Sequence, residues 1–200
     1  MENAMITINE VTIEIAGREI IYDYSEQIPA GSITVIVGPN GSGKSTLLAA
    51  IAGDLVPSKG TITIDDVHPA LTSAPHLATI RAMVVQNQLY SLGFTVREVI
   101  EMAGDAESII DALELKEIAD RHVTTLSGGE SQRVAIAQAV AQNTPVLLLD
   151  EPLAAQDIHS RKRIIELLQK LAEGGITVVV VAHEQEKDLT WADKIIKDFK

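Results

Sequence analysis

The stretch VIVGPNGSGKSTLLAAIAG, Val35 to Gly53, decides how the chain is read. A short β-branched run reads as a buried strand, and the longer alanine- and leucine-rich run that closes the stretch reads as a helix. Between them lie glycines, one lysine and hydroxyl side chains. Glycines let successive backbone N–H groups converge, and Lys44 adds a cation beside them. The chemistry that wants both is a phosphate. Gly38, Pro39, Asn40, Gly41, Ser42, Gly43, Lys44 and Ser45 fit G-x-x-x-x-G-K-[ST], with Thr46 next. In that pattern the helix N-terminus adds its dipole, the lysine reaches the β and γ phosphates, and the Ser45 hydroxyl ligates Mg²⁺. A flexible Gly/Ser turn is the bland alternative. The strand before and the helix after weigh against it.

A phosphate loop alone names no reaction. Further along, PVLLLDEP, Pro145 to Pro152, ends a buried apolar strand in two carboxylates. The C-terminal end of a strand is where an open α/β sheet binds ligands. Asp150 is placed to hold the Mg²⁺ that Ser45 touches, and Glu151 to polarise a water for in-line attack on a γ-phosphate. A kinase would need a pocket for a second substrate, and no signature for one is present. The N-K-x-D element of common GTPases is absent.

Composition narrows the class. The 200 residues favour one domain, long enough for a sizeable core. With 16 basic against 28 acidic residues the net charge is −12, which argues against broad binding to nucleic acid or to an anionic lipid surface. No cysteine means no disulfide framework and no thiolate chemistry. The start, MENAMITINE, lacks the basic and apolar regions of a secretory signal, and apolar runs such as Ile176 to Ala182 are too short to span a bilayer, so the chain reads as soluble. MITINEVTIEI, ITVIV and GTITID read as strands, and PSKG, Pro57 to Gly60, as a turn. AMVV, VLLL and TVVVVA are continuous apolar runs of the kind found in parallel strands. RKRIIELLQKLAEGG is helical and closes at Gly174 and Gly175. Strands alternating with helices indicate an α/β fold with a parallel sheet. Residues 89–141 show almost no strand pattern and read as a helical insertion.

TLSGGESQRVAIAQAV precedes the two-acid strand, and within it Leu126, Ser127, Gly128, Gly129 and Glu130 spell LSGGE. The serine and glycines offer a second set of free N–H groups at a helix start, which is also simply an N-capped turn. In this order, between a phosphate loop and a D-E strand, the five residues are highly specific. The chain resembles the ATP-binding subunits of ABC transporters over nearly its whole length. The resemblance implies a P-loop NTPase (RecA-like) core with a mostly parallel sheet, an N-terminal antiparallel β-subdomain and a compact inserted helical subdomain. The parts fall at 1–88, 89–141 and 142–200 within one ATPase domain. It also implies ATP and Mg²⁺ as ligands and a head-to-tail dimer. The Ser127–Glu130 turn of one subunit would close over the γ-phosphate of ATP held by the other.

Other positions carry over singly. Gln86, after AMVV, matches the glutamine that touches Mg²⁺ and the attacking water and begins the segment facing the membrane subunit. His183, after TVVVVA, matches the histidine that contacts the γ-phosphate; HEQEK lacks the second histidine of a zinc helix. Asp157, in LAAQD, matches the aspartate that helps join the subunits. His68, His76, His122 and His159 show no ligand spacing and read as surface or loop residues.

Three departures stand out. Ile15 falls where the family often places an aromatic ring under adenine; Tyr22 and Tyr24 are nearby, but Tyr24 reads as a core position. LAAQD replaces the more usual serine-alanine-leucine-aspartate. The span from Gln86 to Leu126 is short, and the chain ends soon after ADKII, which implies no C-terminal regulatory domain.

The resulting expectation is an ATPase subunit that powers a membrane transporter. It would dock on an integral-membrane subunit at the cytoplasmic face, pair with a second ATP-binding subunit and bind no nucleic acid. LLAAIAGDLVPSKGTI and FTVREVIEMAG are similar to ATPases of iron-chelate, haem and vitamin B12 importers, which would add a substrate-binding protein. A soluble ABC ATPase unconnected with transport, or a nucleotide-binding module that does not hydrolyse, are the rival readings.

Overall fold

The computed structural model describes residues 4–86, 90, 93–183 and 185–197. The strands are β1 (Ala4–Ile15), β2 (Arg18–Pro29), β3 (Ile33–Val37), β4 (Lys59–Ile64), β5 (Arg81–Val84), β6 (Val146–Asp150), β7 (Thr177–Ala182) and β8 (Lys194–Ile196). The helices are α1 (Lys44–Ala52), α2 (Ala74–Ile80), α3 (Val96–Glu101), α4 (Glu107–Ala112), α5 (Gly128–Ala141) and α6 (Ile158–Glu173).

Two sheets form. A five-stranded sheet has the order β5-β6-β7-β3-β8, and every neighbouring pair in it is parallel. A three-stranded antiparallel sheet has the order β2-β1-β4. The sequence pattern explains the first. β3, β6 and β7 are buried at every position, as continuous apolar strands covered on both faces must be. Alternate residues serve opposite faces. Val35, Leu147, Leu149, Val178 and Val180 join one apolar cluster with Val134 and Ile136 of α5 and Ile164 and Leu168 of α6. Ile36, Leu148, Val179 and Val181 join the other, with Leu47, Leu48 and Ile51 of α1 and the isoleucines of β1, β2 and β4.

Helix α1 therefore lies between the two sheets, which is why its apolar residues run around most of its circumference. Its end is set by Gly53, which adopts φ 86° and has the Pro69 backbone where a side chain would be. The PSKG turn is shorter than the sequence suggests: Lys59 and Gly60 already belong to β4. Tyr24 is half-buried against the second cluster, not enclosed in it, and its hydroxyl donates to Glu26 Oε2 at 3.4 Å.

The stretch between β5 and β6 is helical where it is described. It comprises α3, α4, α5 and single turns at Lys116–Ile118 and Val123–Thr125. Thr95 caps α3 with a capping box to Glu98. Val99, Ile100, Ile110 and Leu115 pack into the same cluster as α5 and the parallel sheet. The expected boundary between residues 88 and 89 lies outside the described residues.

Candidate functional site

Because the central sheet is parallel, the C-terminal ends of its strands share one edge. The expected groups follow those ends: the loop 38–43 follows β3, Gln86 follows β5, Asp150 ends β6 with Glu151 next, and His183 follows β7. A cleft of about 680 Å³ is lined by residues 40–46 together with Gln86, Glu151 and His183.

The loop is built for backbone approach. Gly43 adopts φ 99°, and a Cβ there would lie 2.9 Å from Ile20 Cγ2, so glycine is required twice over. Lys44 is 5% exposed, and its Nζ donates to the carbonyls of Gly38 at 2.9 Å and Pro39 at 3.2 Å. An ammonium has three donors, so capacity remains for an anion. The Ser42 hydroxyl is buried without a hydrogen-bond partner among the described residues. An orphaned buried hydroxyl beside an inward-held ammonium, at the start of a helix, fits a phosphate.

Ser45 and Asp150, the two residues expected at Mg²⁺, are brought together. Ser45 Oγ donates to Asp150 Oδ1 at 3.1 Å. Asp150 is 7% exposed, and burial pushes its carboxyl above the ordinary aspartate range, against the pull of Ser45 and Lys44. Among the described residues no group of three His, Cys, Asp or Glu side chains gathers to hold a metal. A hydroxyl and one carboxylate fit Mg²⁺, which takes oxygen ligands and usually shares them with substrate phosphates.

Glu151 is held from both sides. Gln86 Nε2 donates to its Oε2 at 2.7 Å, and His183 Nε2 pairs with its Oε1. Its backbone N–H still donates to Val181 O at 3.0 Å, continuing the parallel pairing, while its φ of 51° is left-handed. A non-glycine residue in that region costs roughly 1–3 kcal/mol, and such strain concentrates at functional sites.

The signature turn takes the form of an N-cap. Ser127 Oγ accepts from Glu130 N at 3.3 Å, and Glu130 Oε2 accepts from Ser127 N at 2.7 Å. That second bond lowers the Glu130 carboxyl, with help from Arg121 at 3.1 Å. Gly128 opens α5, and a side chain there would meet nothing within 4 Å, whereas one on Gly129 would meet Ala155 O at 2.9 Å. Leu126 packs into the core. None of these residues lines the cleft of its own chain. Asp157 caps α6, accepting from the N–H groups of His159 at 2.9 Å and Ser160 at 3.0 Å.

Ile15 ends β1 and is 44% exposed; Tyr22 is 60% exposed. Ile15 pairs with Arg18, two register positions from the Ile13–Ile21 pair, and β2 reaches the phosphate loop through Ile20 at Gly43. Ile15 is on the hairpin that flanks the loop, outside the cleft lining. His68, His76, His122 and His159 are exposed, as expected. The left-handed backbone of Glu151 and a side-chain network around Gln156 and Arg133 have no counterpart in the sequence reading. The only signal for the second is the polar residue in LAAQD where leucine is usual.

A parallel sheet with the G-x-x-x-x-G-K-S loop, the Ser45–Asp150 pair and Glu151 along one edge has the architecture of a P-loop nucleoside triphosphatase. The comparisons with known proteins narrow this. The family model "ABC transporter" matches residues 21–154. The "Hemin import ATP-binding protein HmuV" of Rhodococcus jostii is 38% identical over 200 residues, covering 93% of this chain and 68% of that protein. The "Cobalamin import ATP-binding protein BtuD" of Halobacterium salinarum is 38% identical over 208 residues, covering 96% of this chain and 52% of that protein. Among solved structures, the dimeric post-hydrolysis state of the ATP-binding cassette MJ0796, bound to ADP and Pi, superposes with a TM-score of 0.84 at 30% identity, covering 96% of this chain and 93% of that one. The chain belongs to the ATP-binding cassette family of ABC transporters. It is an ATPase that uses ATP with Mg²⁺, pairs with a second ATP-binding subunit and serves a membrane subunit. Among the described residues no helix is long and apolar enough to cross a membrane.

Proposed function

We propose that this chain drives an importer of a tetrapyrrole or metal-chelate class of substrate, and that the cleft residues divide the work of hydrolysis as follows. The backbone N–H groups of residues 40–46 and the Lys44 ammonium bind the phosphates. Ser45 and Asp150 hold Mg²⁺, with Gln86 at hand. Bound Mg²⁺ supplies charge neutralisation on the phosphate oxygens. Glu151 accepts a proton from water, and Gln86 and His183 orient its carboxylate. Ser127, Gly128 and Gly129 of a second subunit close the site, and Asp157 contributes to the same interface. The subunit works at the cytoplasmic face of a membrane, docked on its permease and served by a substrate-binding protein. Within one ATPase domain, 1–88 comprises the β-subdomain and the P-loop part of the core, 89–141 the helical subdomain with the signature turn and 142–200 the remainder of the core.

The observation that carries the hydrolytic reading is Glu151 clamped between Gln86 and His183 beside the Ser45–Asp150 pair. The names of the haem and cobalamin relatives support the substrate class. Phosphate release by the purified chain tests the first part. Activity should require Mg²⁺, and Ser45→Ala should raise the Mg²⁺ concentration needed; release that persists in a chelator would refute it. Reconstitution with its membrane permease tests the second. ATP-driven uptake of haem, cobalamin or a ferric chelate is expected; uptake of none of the three would refute the substrate class.

A further inference from the structure

Gln156 occupies the loop between Glu151 and α6, and both ends of its side chain are engaged. Its Nε2 donates to Gly129 O at 3.1 Å, and its Oε1 accepts from Arg133 Nη1 at 3.3 Å. The same Arg133 nitrogen donates to Ser160 Oγ at 3.1 Å, and Ser160 Oγ donates to Asp157 Oδ2 at 2.8 Å. A chain of bonds therefore runs from the signature turn through Gln156 and Arg133 to the cap of α6. Backbone contact reinforces it: a Cβ on Gly129 would lie 2.9 Å from Ala155 O, so turn and loop touch directly within one subunit.

The loop is held by turn hydrogen bonds and by buried side chains. Ala154 N donates to Glu151 O at 3.2 Å and Gln156 N to Leu153 O at 3.3 Å, two consecutive tight turns. Pro152 and Leu153 are buried beneath them. Ser127 and Gly128, by contrast, are exposed. The leucine more usual at position 156 could make neither side-chain bond.

We propose that Gln156 is a positioning residue that holds the Ser127–Glu130 turn against its own subunit's loop, in the geometry in which that turn meets the partner's nucleotide. This rests on the reading that the signature turn of one subunit closes over ATP held by the other. Gln156 touches no nucleotide itself. It fixes where the Gly129 backbone lies before the partner arrives, so the pair of subunits closes without first ordering the turn.

The test uses the full chain with Glu151→Gln, in which hydrolysis is blocked, alone and combined with Gln156→Leu or Gln156→Glu. Gln156→Glu keeps the acceptor for Arg133 and turns the donor at Gly129 into an oxygen facing a carbonyl. Light scattering gives the MgATP concentration for half-maximal dimer, and a fluorescent ADP analogue reports the phosphate loop of the monomer. In both variants the MgATP requirement should rise about fivefold, the worth of one neutral hydrogen bond, with ADP binding within about twofold of the parent. A merely structural role would lower the melting temperature and move both readouts together. Either that pattern or an MgATP requirement within about twofold of the parent overturns the proposal. If Gln156→Leu fails to fold, the Glu variant decides. A parent that does not dimerise at all overturns the closure reading and the tether with it; a dimerising parent with unshifted variants overturns the tether alone.

Discussion

Glu151→Gln separates chemistry from folding more cleanly than any other change in the cleft. The side chains are nearly isosteric, and the site gives the amide somewhere to go. Its oxygen can keep accepting from Gln86 Nε2, now bonded to Glu151 Oε2 at 2.7 Å, while its NH₂ turns to His183 Nε2. That second contact survives if His183 carries its proton on Nδ1. At worst one interaction is lost. Glu151 is 12% exposed and His183 is 39% exposed, so solvent screens the pair and its loss costs about 1 kcal/mol or less. In a chain of this length that is a fall of roughly 2–4 °C in melting temperature. The loss of a general base is typically ~10²–10⁴-fold in rate, or about 3–5 kcal/mol of activation free energy. Turnover should therefore fall by far more than stability does. Phosphate release, differential scanning fluorimetry and size-exclusion chromatography with MgATP measure the three consequences: lost turnover, near-normal melting and accumulated dimer. Turnover within about tenfold of the wild type would refute the assignment of Glu151 as base.

The other expectations are independent of that one. Ser127→Arg should spare ATP binding to the monomer and abolish hydrolysis; mixed with Lys44→Ala, which spoils the opposite face, it should regain partial activity, and full activity of Ser127→Arg alone would contradict closure in trans. Ile15→Tyr adds a ring beside the phosphate loop and should tighten ATP up to about tenfold if stacking recovers ~1.4 kcal/mol, read by titration with GTP as competitor; a wild type that already strongly prefers ATP would mean another group reads the base. Gly104→Ala places a Cβ 2.1 Å from Ala141 O, so α5 must shift; a cost of about 1–3 kcal/mol should appear in urea unfolding, and an unchanged midpoint would refute the contact. The Asp157 carboxyl is lowered to about 2 from 3.8, chiefly by the Ser160 N–H, so its contribution is full above the ordinary value and lost as pH falls through about 2. Asp157→Asn should therefore be less stable than wild type near neutrality and equal to it at the acid end of a pH series of unfolding curves; a constant gap would refute the charge effect.

Much of this was legible because the chemistry is local in sequence. The phosphate loop needs consecutive residues, so Gly38 to Ser45 announce it. The burial of β3, β6 and β7 on both faces shows as unbroken apolar runs. Once those strands are parallel, residues one or two positions past their ends must meet at one edge, and Gln86, Glu151 and His183 do so. The limits are equally physical. α3 buries three residues, Val96, Val99 and Ile100, and α4 only Ile110, so periodicity alone draws their outlines weakly. Ile15 and Tyr22 are both exposed near the loop, and register alone ranks neither as the contact for a base.

The features that escape the sequence depend on backbone geometry and on partners remote along the chain. Nothing in LLLDEP says that Glu151 turns left-handed. That follows from a conflict at the strand end: the N–H must finish the ladder on Val181 while the side chain turns toward residues after two other strands. Gln156 presents the same problem in another form. As one polar residue in LAAQD it is an unexplained departure, because its meaning lies in Gly129 and Arg133, on the helix that precedes β6. The amide becomes intelligible only when its two ends are seen to answer a carbonyl and a guanidinium, and it is the pair of partners, not the residue type, that assigns the role.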